Sequence, residues 1–508
     1  MIAPHRVVVV ALILTSPRAA HAQAPSAARD PAALDAVTSS ILKLPVTTSS
    51  AEARSHFLLG QRTLDLGRFI EANGHFKAAV SADTSFAFAS LNAANTANSF
   101  AEFTSNLEQA ERHAAGASEA ERLLIQMARK GLENDVEGQL ALAQQLVAKF
   151  PESPRAYLAL ANVQGAMNRN ADARASIAKA LGLAPRLLVA HTTLGNSYLF
   201  GEPKDFAKAL EHMQHAEALA PTEPFMHDLL GDVYRAQNNL TQARAEYTRG
   251  HQLNPADASL LQQRGHVNSF AGDYAAARAD YDSAIAVGRA NEKGAFAPFR
   301  AYVSIHAGDP QGAIAELNRL VTAVDGMGIP EPRGVKIGAL SDIAAIAIHV
   351  GDFPAAERAL QQRTPLMMQQ ADAAGSEAFR RAQQANVAYF DGWLAARKGD
   401  SAAARRATDQ VATLVAPDAN PRKLEPVHEL KGFLALQQGN VREAAGHFAQ
   451  GDLTNPYIQY QYAVALDGAG DKAKAKQLFR ELAVYNFNSS GYALIRKDAQ
   501  RQAQEPRL

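Results

Sequence analysis

The chain has 508 residues, and its 51 Lys and Arg are balanced by 51 Asp and Glu. Nucleic acids and anionic membrane surfaces are both bound largely through their negative charges, and this chain has neither a net charge nor a basic stripe, so neither partner is expected. The absence of cysteine excludes disulfides, thiolate catalysis, Cys-ligated metal sites and lipid attachment through Cys.

The first 22 residues have the three parts of a secretory signal peptide. His5 and Arg6 form a short polar start, an apolar run follows from Val7 to Leu14, and Ala20-His21-Ala22 has the small-x-small form of a cleavage site. The apolar run is shorter than the ~20 residues that span a bilayer. We therefore expect cleavage after Ala22 and a mature chain in the periplasm or outside the cell; an uncleaved N-terminal segment is the alternative.

The next segment, residues 23–50, is rich in Ala, Pro, Ser, Thr and Asp and is predicted to be a flexible linker with a short helix at 33–42. Apolar residues make up 47% of the chain and aromatic residues only 7%, and alanine is the commonest residue. Alanine is the best helix former and lets helices approach closely, so this composition favours tightly stacked helices over a sandwich or barrel. No stretch after the signal is long and apolar enough to predict a membrane helix.

A repeat appears in the spacing of four prolines. Pro151 and Pro185 are 34 residues apart, and so are Pro221 and Pro255, while the middle step from Pro185 to Pro221 is 36. Each unit, including the one that follows Pro255, has a small residue in its first half and a small-large-small set in its second half. The best-matched sets are His191, Gly195, Tyr198, Ala209, Met213 and Ala216; His227, Gly231, Tyr234, Ala243, Tyr247 and Gly250; and Gly265, Ala277, Tyr281 and Ala284.

This pattern resembles the tetratricopeptide repeat family, whose units are pairs of amphipathic helices joined by a short turn. The resemblance extends along most of the mature chain, from Gly60 and Phe76 to Gly432 and Phe448. It implies an all-α fold, an α-solenoid of about a dozen stacked antiparallel hairpins with a concave groove. Glycines at the turns are expected to cap helices in the left-handed conformation, and the Asp or Asn that follows is expected to cap the next helix. These pairs are Gly272-Asp273, Gly308-Asp309, Gly351-Asp352, Gly399-Asp400, Gly439-Asn440 and Gly470-Asp471.

A Gly- and Pro-rich stretch at residues 325–334 interrupts the array and suggests two arrays rather than one. The predicted organisation is a signal peptide at 1–22, a linker at 23–50, an N-terminal array at 51–324, an inter-array loop at 325–334, a C-terminal array at 335–484, and a capping helix and tail at 485–508.

Motifs that carry catalysis or hold metals are scarce in this sequence. There is no His-Glu-x-x-His, no phosphate-binding loop with Lys-Ser/Thr and no Gly-x-Ser-x-Gly, so no catalytic residue, metal or cofactor is predicted. His212 and His215 lie three apart on one helix and would either share a metal ion or form part of a solvated helix face. Asp228 and Asp232 lie one helical turn apart, which would suit a glycoside-hydrolysing carboxylate pair or an ordinary solvated face.

The concave groove is the favoured site. In the family, positions two, five, nine and twelve of each unit face inward. The resemblance therefore places on this face Arg155, Asn162, Thr192, Asn196, Asp228, Asp232, Arg235, Gln262 and His266. These side chains could hydrogen-bond an extended peptide. The fifth positions carry no lysine, so the carboxylate clamp that some family members use for chain termini is not expected.

The function that follows is a non-catalytic interaction scaffold that binds a protein or peptide partner, with no nucleic acid and no membrane insertion of the mature chain. Two alternatives remain open at this point: a carbohydrate-active enzyme on a ring of helical hairpins, and a subunit that assembles with itself through the ends of its array.

Overall fold

The computed structural model describes residues 43–504, which form 25 α-helices and no β-strand. The predicted signal peptide, most of the predicted linker with its short helix, and residues 505–508 lie outside this range. Twenty-four of the helices in the described range form twelve consecutive hairpins, and one further helix follows. The all-α solenoid predicted from the repeat is therefore confirmed.

Contacts divide the chain into two compact units between Arg264 and Gly265. The helices of the N-terminal unit are α1 (Ala51–Asp65), α2 (Phe69–Ala82), α3 (Ala87–Asn95), α4 (Phe100–Arg112), α5 (Glu119–Leu132), α6 (Val136–Lys149), α7 (Pro154–Ala166), α8 (Asn170–Leu183), α9 (Leu188–Phe200), α10 (Phe206–Leu219), α11 (Pro224–Ala236) and α12 (Leu240–Leu253). The boundary falls within α13 (Ala258–Ala271).

The helices of the C-terminal unit after α13 are α14 (Tyr274–Val287), α15 (Ala290–Ala307), α16 (Pro310–Ala323), α17 (Pro332–Val350), α18 (Phe353–Ala374), α19 (Glu377–Lys398), α20 (Ser401–Val415), α21 (Glu425–Gln437), α22 (Val441–Phe448), α23 (Pro456–Ala469), α24 (Lys472–Ala483) and α25 (Ser490–Gln504). The predicted inter-array loop contains part of a short 3-10 turn, Val324–Met327, and the start of α17.

A glycine on the first helix sets the spacing of many hairpins. The ring of Tyr247 on α12 lies against Gly231 on α11 so closely that a methyl group at residue 231 would be 2.4 Å from it. Gly60 and Phe76, and Gly432 and Phe448, form the same kind of pair. The large side chain fills the space that the glycine leaves, and the two helices pack at short range with both residues buried.

The turns follow the sequence prediction. All six turn glycines named above have positive φ, between 77° and 95°, which a residue with a Cβ disfavours. The five aspartates that follow a turn glycine each accept a backbone N–H from the next helix, as Asp400 does from Ala403. Asn440, which precedes α22, makes no such side-chain cap. The predicted caps are thus confirmed at every turn except the one between α21 and α22.

The last helix, α25, does more than end the array. It packs against its neighbour α24 and also against the first helices α15, α17 and α23 of earlier hairpins in the same unit. Tyr492, Ile495 and Ala499 on α25 are fully buried. The final helix therefore lies across the face on which these first helices meet. Of the helices in the described part of the chain, none combines the length and apolarity needed to cross a membrane.

Candidate binding site

The nine residues predicted to line the groove lie on the first helices of four successive hairpins. Within the N-terminal unit, Arg155 and Asn162 are on α7, Thr192 and Asn196 on α9, Asp228, Asp232 and Arg235 on α11, and Gln262 on α13. His266 is also on α13 but belongs to the C-terminal unit. We call the eight members in the N-terminal unit the inner row.

The α11 part of the inner row is a buried network. Asp232 is 1% exposed and accepts hydrogen bonds from Arg235 Nη2 at 2.6 Å and Tyr247 OH at 2.8 Å. Arg235 also donates to Gln263 Oε1 on α13 at 2.7 Å. Burial raises the pKa of Tyr247 well above its usual value, and the negative charges of Asp232 and Asp228 raise it further. The Tyr247 hydroxyl therefore keeps the proton that it donates. These contacts tie neighbouring hairpins together.

The first hairpin of the same unit contacts the inner row and also bonds to the second hairpin. Arg155 forms a double hydrogen bond with Asp65, the last residue of α1. The Asp65 side chain is almost fully buried. Gln61 on α1 donates to Asn92 Oδ1 on α3 at 2.6 Å. The sequence reasoning missed Gln61, Asp65 and Asn92. Gln61 had a usable signal, because it directly follows Gly60 as Asn196 follows Gly195 and Asp232 follows Gly231.

Another contact joins the ends of this unit. Arg68, in the turn between α1 and α2, donates to Glu223, which immediately precedes α11, at 2.9 and 2.6 Å. Phe225 on α11 packs edge-on against Phe69, with ring centroids 6.1 Å apart. The turn of the first hairpin therefore meets the beginning of the sixth.

The middle of the inner row, on α7 and α9, makes fewer hydrogen bonds to neighbouring hairpins. The Thr192 hydroxyl donates a hydrogen bond to Val189 O of its own helix at 3.1 Å. The Asn196 Oδ1 atom is shielded from solvent and accepts no hydrogen bond. A shielded acceptor without a donor is unfavourable, so a rotation of this side chain that gives its oxygen a hydrogen bond would be favoured.

The C-terminal unit has a different inner face. Two of the residues that follow first-helix glycines there are aromatic, Trp393 after Gly392 and Phe433 after Gly432, and their rings stack 5.4 Å apart. His266 is buried against Tyr281 OH at 2.7 Å and is also contacted by Asn488, which precedes α25. In this unit the chain's own C-terminal segment contacts the predicted site residue.

Burial shifts the pKa of two groups that lie near α25. It lowers the pKa of His306 to about 4, so this ring is uncharged at neutral pH, and its Nε2 pairs with Asn488 Oδ1 at 3.0 Å. It raises the pKa of Asp342 to about 6, although Tyr302 OH and Ser490 Oγ donate to this carboxyl group. Both groups have hydrogen-bond partners on or next to α25, so the arrangement stabilises the packing of this helix.

Two other pairs of side chains, Asp228 with Asp232 and His212 with His215, are candidates for catalysis or metal binding from the sequence. Asp228 and Asp232 are both 1% exposed, and Asp232 is already bound by Arg235 and Tyr247. His212 contacts His191 on the neighbouring helix, and His215 Nδ1 donates to Glu211 O at 2.8 Å. Within residues 43–504, no group of three or more His, Asp or Glu side chains is arranged to hold a metal ion.

The fold defines an α-solenoid of helical hairpins with repeating glycine–large-residue contacts. Residues 107–264 match the model of a tetratricopeptide repeat-like domain. The resemblance predicted from the sequence is therefore confirmed over these residues. No curated protein matches the sequence.

Several solved structures are similar to the chain at low identity. PilW, a widely conserved type IV pilus biogenesis factor, is 17% identical over 40% of this chain and 93% of its own, with a TM-score of 0.34. A thermophilic tetratricopeptide repeat protein of Thermus thermophilus is 22% identical over 41% and 94%, with a TM-score of 0.27. Human IFIT1, solved as a dimer with m7Gppp-AAAA, is 15% identical over 94% and 96%, with a TM-score of 0.38.

Proposed function

We propose that this protein is a non-catalytic interaction scaffold that binds a peptide segment of a partner protein along the inner row of its N-terminal unit. The observation that carries the proposal is the run of polar side chains on successive first helices, in which Asn162, Thr192 and Asn196 make no hydrogen bond to another helix of the described chain. An extended peptide presents backbone N–H and C=O groups at regular intervals, and Asn side chains can bond both.

Further support comes from how the rest of the row is anchored. Asp65 binds Arg155 and Tyr247 binds Asp232, so the inner row is anchored at Arg155 on α7 and at Asp232 on α11. Asn162, Thr192 and Asn196 lie between these two anchors in the chain. A site with fixed flanks loses little conformational entropy when a ligand binds. The proposal includes export, on the strength of the signal-like residues 1–22, so the partner is sought in the periplasm or outside the cell.

The test is affinity capture from the exported fraction with the mature chain as bait. An Asn162→Ala/Asn196→Ala variant removes two amides of the inner row. The matched control is Gln145→Ala/Gln214→Ala, which removes two exposed amides from the second helices α6 and α10. Thermal unfolding of all three proteins should agree within about 1 kcal/mol, since neither pair anchors a helix.

We expect a partner that the wild-type and control chains capture and the inner-row variant releases. Equal capture by all three chains would place binding elsewhere, and loss of binding together with loss of stability would make Asn196 a structural residue. Export is checked separately by the N-terminal sequence of the exported protein, which should start at Gln23. A chain that retains Met1 and stays in the cell would reject that part of the proposal.

A further inference from the structure

Histidines recur at one position of the hairpins. His56, His191, His227 and His428 each lie four residues before the glycine of a first helix. On the second helix of each hairpin, a large side chain packs on that glycine. The residue just before this side chain is, in the same order, His75, His212, Glu246 and His447. The close glycine contact brings these two positions face to face, so the repeat builds a cross-hairpin imidazole pair in three hairpins and a His–Glu pair in one.

Two of these pairs have the same geometry. His191 Nδ1 on α9 and His212 Nδ1 on α10 are 3.3 Å apart. His428 Nδ1 on α21 and His447 Nδ1 on α22 are also 3.3 Å apart. Two nitrogens that each lie about 2.0–2.1 Å from one tetrahedral Zn²⁺ are separated by about 3.3–3.4 Å. The hairpin backbone therefore sets the distance between two imidazole nitrogens that a shared Zn²⁺ ion requires.

The protonation of the first pair suits metal binding. His191 Nε2 lies 3.0 Å from Pro185 O, and since a carbonyl can only accept, this nitrogen carries the ring proton. In the neutral ring the lone pair is then on Nδ1, which faces His212. A carbonyl that fixes the tautomer from behind is the usual second contact of a metal-binding His.

The two remaining hairpins are not equivalent. His227 is fully buried and its Nδ1 is already bonded to Glu246 at 2.8 Å, which satisfies the pair without a ligand. The rings of His56 and His75 lie 5.9 Å apart with His75 Nε2 near Glu71. The pairs of α9–α10 and α21–α22 are half-buried, and water can complete the coordination from the open side.

We infer that the His191/His212 pair and the His428/His447 pair are two open binding sites for a divalent transition-metal ion of the Zn²⁺ kind, each with two protein ligands and solvent in the other positions. This inference is independent of the partner-binding proposal, because neither pair includes a residue of the inner row. It differs from the pairing considered from the sequence alone, since His212 is matched with His191 on the adjacent helix rather than with His215.

The test is a calorimetric titration of the mature chain, purified without a histidine tag, with Zn²⁺ at pH 7.5. We expect about two equivalents for the wild type, about one for His212→Gln, about one for His447→Gln, and none for the double variant. His113→Gln, which changes a histidine with no imidazole neighbour among the described residues, should bind like the wild type. Zn²⁺ should raise the unfolding temperature of the wild type but not that of the double variant.

A direct N–H···N hydrogen bond would also explain a separation of 3.3 Å, and the titration separates the two cases. If the pairs are only hydrogen-bonded, the wild type will bind no Zn²⁺, or the double variant will bind as much as the wild type; either result overturns the inference. Circular dichroism of the variants without metal should match the wild type. Loss of Zn²⁺ binding in a variant that has kept its helices then reports the ligands and not the fold.

Discussion

At the scale of single residues, the glycine–large-residue contacts matter most, because they set how closely the two helices of a hairpin pack. The same contact also positions the pairs that carry the polar chemistry, since Asn196 and Asp232 each follow such a glycine and His191 and His227 each precede one by a helical turn. A substitution at one of these glycines therefore disturbs packing and chemistry together.

Gly231→Ala is expected to destabilise the protein by about 1–3 kcal/mol, because its methyl group would lie 2.4 Å from the buried ring of Tyr247. The matched control is Gly74→Ala, in the middle of α2, where a methyl group meets no other atom within 4 Å. That change should be neutral or stabilise by up to about 1 kcal/mol, since Ala favours the helix. Thermal unfolding measures both. Equal effects would show that the α11–α12 contact is not as close as described.

Much at this scale can be predicted from the sequence. The turn glycines and five of the six capping residues follow from spacing alone, because left-handed caps and Asp caps are local and depend on adjacent residues. The partners of Asp232, Asp65 and Arg68 could not be predicted, since they come from other hairpins and the repeat pattern does not specify which side chains meet between them. The imidazole pairs do have a sequence pattern. A His lies four residues before the glycine of the first helix, and another His lies just before the large residue of the second helix. This pattern predicts a pair only when it is known that the glycine and the large residue contact each other.

At the scale of elements, α25 is the exception to the repeat. The sequence predicts a capping helix, and a cap needs to contact only the hairpin before it. Here α25 also contacts α15 and α17, whose residues lie more than a hundred positions earlier in the chain. Its polar contacts, such as Ser490 with Asp342 at 3.0 Å, are equally long-range. No periodicity could reveal this, because α25 occurs once and has no copy with which to compare it.

Tyr492→Ala tests the importance of α25. Tyr492 is fully buried, and its hydroxyl donates to Leu482 O at 3.0 Å. Removing the ring should leave a cavity and cost about 3–5 kcal/mol. Lys497→Ala, on the exposed face of the same helix, should change stability by less than about 0.5 kcal/mol. Denaturant unfolding of the two variants gives the comparison. A small effect of Tyr492→Ala would mean that α25 is only loosely attached.

At the scale of the whole molecule, buried ionisable groups make stability depend on pH. Glu429 is buried, and burial raises its pKa to about 8 even though Tyr389 OH donates to it at 2.7 Å. Between the ordinary Glu pKa and about 8, the unfolded chain loses this proton while the folded chain keeps it. The stability contributed by this group therefore falls as pH rises through that window, by about 1.4 kcal/mol per pH unit at most.

Glu429→Gln removes this titration while keeping a side chain that can bond Tyr389. The variant should gain stability over the wild type as pH rises from about 5 to about 8, and the stability difference between the two should stop changing below the ordinary Glu pKa. Unfolding temperatures measured across this range provide the check. Parallel curves for the two proteins would show that Glu429 ionises normally in the folded state.

The position of α25 also bears on the order in which the protein can fold. Most solenoids can add hairpins one at a time, because each contacts only its neighbours. In the C-terminal unit, α25 packs on α15 and α17, which precede it by more than a hundred residues. The face that α25 covers stays incompletely covered until α25 has been made, and closing such a long-range contact is slow. If the chain is exported before it folds, as we propose, this delay would keep the C-terminal unit open until α25 is available.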